Sequence, residues 1–119
     1  MPYVYIEDGE LKCNCGCGLD VRHETKQRLD NARRIAGVPF RFTSGGRCLS
    51  YNRSIGSKDS SSHPKGCAAD IKFSNSREKF LIVYGLMQAG FTRIGINDNL
   101  QFIHADDDED KPQEVLFKY

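Results

Sequence analysis

The run Ser61-Ser-His63-Pro-Lys-Gly-Cys67-Ala-Ala-Asp70-Ile-Lys-Phe73, followed later by Gln101-Phe-Ile-His104-Ala-Asp106, decides how this chain is read. Cys67 to Phe73 reads as a strand with Ala68, Asp70 and Lys72 on one face, because successive side chains in a strand alternate. Gln101 to Asp106 reads as a second strand, with His104 and Asp106 on one face and Gln101 and Ile103 on the other. If the two are neighbours, Asp70 faces His104, and His63 swings in from the preceding loop. Two imidazoles and one carboxylate leave a fourth zinc position open for water, as catalytic zinc requires. The spacing alone leaves a plainer reading open: a loop histidine, a turn aspartate and a packed strand histidine. The chain has only three histidines. The remaining one, His23, lies in a charged helical stretch from Asp20 to Arg34.

Working outward, residues 1 to 18 suggest a short strand and then a glycine- and cysteine-rich turn. Leu29, Ala32 and Ile35-Ala36 give Glu24 to Ala36 a helical period, stopped by Gly37-Val-Pro39. Phe40 to Ser44 alternates like a strand. Gly45 to Lys65 is rich in Gly, Ser, Asn and Lys and reads as one long loop, a length usually kept for function. Ser76 is a candidate N-cap for a helix over Arg77 to Ala89, with Phe80, Leu81, Val83, Tyr84 and Met87 apolar. Phe91 to Ile96 is a further strand, Asn97-Asp-Asn99 a turn, Asp106 to Lys111 a solvated acidic turn, and Val115 to Tyr119 an edge strand. Two helices with about four to five strands predict an α+β fold with a mainly antiparallel sheet.

With 119 residues, the chain is long enough for one core and too short for two domains. Its hydrophobic share of 39% against 28% charged residues argues against disorder. A formal net charge of +1 with no basic stripe argues against nucleic acid as a partner. No apolar run is long enough to cross a bilayer, so no membrane partner is expected. The first residues lack the pattern of a secretory signal, so the expected route is synthesis in a cytoplasm and release by other machinery. A monomer is expected.

Five cysteines cannot all pair within one chain. Cys13, Cys15 and Cys17 alternate, which on an extended segment places three thiols on one face. Two readings stay open for them: a thiolate metal site completed by another group, or buried thiols with at most one disulfide. Cys48 carries no assignment. Cys67, between two candidate ligands, reads as a small buried hydrophobe.

The joint pattern Thr43-Ser44-Gly-Gly-Arg47-Cys, Asn52, His63-x-x-Gly66-x-Ala-Ala-Asp70-Ile and Phe-Ile-His104-Ala-Asp106 resembles the zinc D-Ala-D-Ala metallopeptidases. That group includes D,D-carboxypeptidases, D,D-dipeptidases, phage L-alanyl-D-glutamate endolysins and the fold of hedgehog signalling domains. The resemblance runs from about Leu11 to Tyr119 and implies a single zinc peptidase domain over 1–119. It implies Zn2+ on His63, Asp70 and His104, and hydrolysis of peptidoglycan stem peptides by a carboxypeptidase or endopeptidase of phage or prophage type. Arg47 would bind substrate or the developing oxyanion, with Ser44 and Asn52 contacting the peptide or holding the loop.

One departure stands out. Many members carry Glu or Asp three residues before the last histidine as general base, and here that residue is Gln101. Asp106 is then the leading substitute base, with Asp98 second; the other reading of Asp106 is a carboxylate that orients His104. Two rival functions follow: a catalytically silent zinc-containing binding module on the same fold, and a structural domain without metal. The last leaves the co-occurrence of His63, Asp70 and His104 without a reason.

Overall fold

The computed structural model describes residues 3–119. It is an α+β fold: helices α1 (His23–Ala36), α2 (Leu49–Ser54) and α3 (Ser76–Gln88), and strands β1 (Arg41–Ser44), β2 (Ala68–Lys72), β3 (Arg93–Asn97), β4 (Phe102–Asp106) and β5 (Val115–Lys118). The sheet order is β1-β2-β4-β3-β5. Three pairings are antiparallel, and β5 joins β3 in parallel at the sheet edge.

One face of the sheet is apolar and packed. Ala69 and Ile71 of β2, Ile103 and Ala105 of β4 and Ile94 of β3 share one cluster with Leu29, Ala32 and Ala36 of α1 and Ile82 and Leu86 of α3. On α3 the buried face is Ile82, Gly85 and Leu86, while Phe80, Tyr84 and Met87 are exposed, contrary to the face expected from the sequence. The helix is apolar on several sides, so periodicity alone does not choose its inner face. The crossing with α1 does: a Cβ at residue 85 would sit 2.5 Å from the Ala32 carbonyl oxygen, and only glycine permits that approach. The helix is capped by Asn75, not Ser76; its side-chain oxygen accepts from the Glu78 N–H at 2.9 Å.

Four further expectations change. Residues 3–18 form turns without a strand; residues 1 and 2 of that expected element lie outside the described residues. The expected loop 45–65 contains α2 and a 3-10 turn, His63–Lys65. Gln101 is an exposed turn residue with φ 56° rather than part of β4. The acidic run is not solvated at its start, where Asp106, Asp107 and Asp108 are all buried. Each is buried because it has cationic or hydrogen-bonding partners on a different element. Asp107 takes Arg22 at 3.1 Å, Arg28 at 2.8 Å and the Thr25 hydroxyl at 2.7 Å. Asp108 accepts from Lys65 at 3.0 Å and the Ser62 hydroxyl at 2.8 Å. No described helix is long and apolar enough to cross a membrane.

Candidate metal centre

The face of the sheet turned away from α1 and α3 carries the polar residues. Register places Ser44, Asp70, His104, Gly95 and Phe117 opposite one another on five successive strands. The next row along holds Ala68, Asp106, Arg93 and Val115. Strand alternation and cross-strand pairing thus bring Asp70 and His104 together, and the 3-10 turn before β2 delivers His63.

His63, Asp70 and His104 each offer a ligand atom, and these atoms lie within 4.8 Å of one another. All three residues are buried. The Nδ1 of His63 lies 2.7 Å from the Gly45 carbonyl oxygen, which can only accept, so Nδ1 carries the proton. Nε2 is then a lone pair. It is fully buried without a hydrogen-bond partner, although an Asp70 carboxylate oxygen stands 3.3 Å away. The short separation and the missing bond agree once both atoms are acceptors.

His104 repeats this logic with its nitrogens exchanged. Nε2 lies 2.7 Å from Asp106 and donates to it, so in the neutral ring Nδ1 faces Asp70 at 3.0 Å as an acceptor. With both rings neutral, three buried acceptors converge on one point, which fits a divalent cation, and an N2O donor set suits zinc.

The same carboxylates favour positive charge at the centre, as a proton on His104 or as a cation. Burial works to raise the Asp70 carboxyl, but the His104 and His63 imidazoles outweigh it and hold it well below the usual carboxylate range. Burial works to lower His104, yet the Asp106 and Asp70 carboxylates raise it. Asp106 is likewise held low against its burial by His104, the Asp108 amide and Arg93.

Asp106 stands behind His104 and is not one of the converging group. Its other oxygen accepts from Arg93 Nε at 2.7 Å and from the Asp108 N–H at 3.2 Å. Asp98 is exposed in the β3–β4 turn, paired with Lys79 at 2.6 Å, and stands outside the group. Arg47 is buried beside the site, with Nη2 3.8 Å from Asp70. Asn52 and Ser44 accept from its Nη1 and Nη2 at 3.0 and 2.9 Å, and its Nε–H is buried without a partner.

Tyr119 was not among the site residues expected from the sequence. Its ring stacks on His104, with centroids 4.2 Å apart and planes at 14°. Burial, followed by the charge of Asp70, pushes its hydroxyl up to about 12, so the phenol stays protonated. The signal was Gly95: a Cβ there would meet Phe117 at 2.6 Å and Tyr119 at 2.9 Å. A glycine inside a strand marks such a close approach. The same two aromatics line a groove of ≈ 480 Å³ with Ile96, Asn97 and Lys118.

No curated relative matches the chain. The family model described as Peptidase M15 matches residues 4–106, which contain all three converging residues and Arg47. The chain belongs to this family, the zinc D-Ala-D-Ala metallopeptidases.

Proposed function

We propose that the protein is a monomeric zinc peptidase that hydrolyses peptide bonds in peptidoglycan stem peptides, as a D,D-carboxypeptidase or an endopeptidase. The observation that carries this reading is the buried, partnerless Nε2 of His63 facing the Asp70 carboxylate and the Nδ1 side of His104. His63 Nε2, Asp70 and His104 Nδ1 hold the zinc, which when bound supplies a Lewis acid and an acidified water.

The chain's own residues prepare this chemistry. The Gly45 carbonyl and Asp106 each take a ring N–H, fixing both imidazoles with the lone pair inward. Arg93 anchors Asp106 in turn. Asp106 therefore acts as a positioning residue for His104, in place of the base role expected for it. Ser44 and Asn52 hold Arg47 beside Asp70, so that its guanidinium charge is fixed next to the site for a substrate carboxylate or developing oxyanion.

A second reading rests on a specific observation. Among the described residues, no carboxylate other than Asp70 joins the two histidines, and Gln101 sits in an exposed turn. On that reading the protein binds zinc and stem peptide without turnover. Digestion of purified peptidoglycan, with products identified by mass spectrometry, separates the two. New amino termini or released D-alanine support the peptidase, and an unchanged digest from zinc-loaded protein supports the silent module.

A further inference from the structure

Cys13, Cys15, Cys17 and Cys48 form a second group whose sulfurs all lie within 4.8 Å of one another. The Cys15 sulfur is 3.4 Å from that of Cys13 and 3.6 Å from that of Cys48. Four sulfurs bound about 2.3 Å from one tetrahedral zinc stand roughly 3.8 Å apart, so the thiols already approach that arrangement. All five cysteines of the chain are free, and the fifth, Cys67, belongs to the buried segment before β2.

The backbone around the sulfurs is arranged for thiolates. The Cys48 N–H points at the Cys13 sulfur at 3.4 Å, and the Tyr51 N–H at the Cys48 sulfur, also at 3.4 Å. Amide donors aimed at sulfur favour its charged form. Three of the thiols come from a turn in the N-terminal segment, and the fourth follows Arg47 directly. One disulfide would use two of the four and give the other two no reason to face the same point.

We propose that Cys13, Cys15, Cys17 and Cys48 bind a structural Zn2+ as a tetrathiolate. Binding releases the thiol protons to solvent and leaves no open position, so the site is not catalytic. Its place in the fold gives it a role. The Gly46 N–H donates to the Leu11 carbonyl at 2.8 Å, and the Cys13 N–H to the Leu19 carbonyl at 2.7 Å. An ion on these sulfurs clamps the N-terminal segment to the residues carrying Arg47, and thereby fixes one wall of the histidine site.

The test uses the full chain, purified without added metal under a non-thiol reductant. A His63→Ala/His104→Ala variant removes the histidine site and should still carry about one zinc per chain, held by four ligands. A mercurial that titrates thiols should release that zinc, and cobalt in its place should show thiolate-to-metal charge-transfer absorption. Cys17→Ser should lose this ion and keep the one on the histidines. If either variant fails to fold, the wild type decides: about two zinc per chain are expected from two four-coordinate sites, and a mercurial should free one. A metal-free histidine variant with freely reacting thiols would overturn the proposal. So would a disulfide found by mass without metal, iron in place of zinc, or a wild type whose zinc is untouched by the mercurial.

Discussion

The two faces of the β2–β4 pair are built from the same strands and hold opposite chemistry. Ala69, Ile71, Ile103 and Ala105 enter the apolar cluster with α1 and α3, whereas Asp70, His104 and Asp106 project into an equally buried polar row. Burying carboxylates and imidazoles costs several kcal/mol per unpaired charge, so a small domain tolerates such a row only if every group is paired. Arg93, the Gly45 carbonyl, Ser44 and Asn52 supply partners for nearly all of it. The exceptions are His63 Nε2 and Arg47 Nε. One face therefore stabilises the fold, and the other leaves a buried lone pair of His63 where a cation would fit.

The largest effect should come from mixing the two faces. Ile71→Ala removes a fully buried core side chain and should cost about 2–5 kcal/mol by denaturant unfolding. The histidine-site zinc should stay, because the substitution points away from it; loss of that zinc in still-folded protein would mean that the faces are not separable. Next, Arg47→Lys should lower peptide turnover by roughly 10²-fold, since an ammonium cannot replace the fork that Ser44 and Asn52 hold. Zinc content should not change, and near-normal turnover would return Arg47 to a structural role.

Asp106→Ala should weaken zinc affinity by about 10–100-fold, read by chelator competition, because His104 then loses the acceptor that fixes its tautomer. Unchanged affinity with lost turnover would restore Asp106 as the base. The smallest effect belongs to Gln101→Ala. Its side chain is exposed, and the backbone carbonyl that accepts from Phe73 at 3.0 Å is retained, so stability and turnover should change little.

Much of this division was legible in the residues. Alternation in Cys67–Phe73 and Gln101–Asp106 separated the apolar from the polar face and paired Asp70 with His104. The helix α2 was not legible, because Leu49-Ser-Tyr-Asn-Arg-Ser has no amphipathic period. It is held by its surroundings instead: the Cys48 sulfur accepts from Tyr51, and the Asn52 amide donates to the Lys58 carbonyl at 2.9 Å. The acidic run misled because charge suggests exposure, whereas Arg22, Arg28 and Lys65 are brought to it only by tertiary structure. Tyr119 was missed for the same reason, since the parallel register of β5 is what lays its ring on His104. Cys48 stands 35 positions along the chain from Cys13, and only folding gathers it with the other three thiols.

The zinc-edge anomalous difference map of a crystal of the wild-type protein, grown without chelator, addresses the histidine site most directly. A peak is expected at bonding distance from His63 Nε2, Asp70 and His104 Nδ1, with His104 Nε2 still donating to Asp106. No peak there in zinc-replete protein, or a zinc bound through His104 Nε2 with Asp106 displaced, would contradict the assignment.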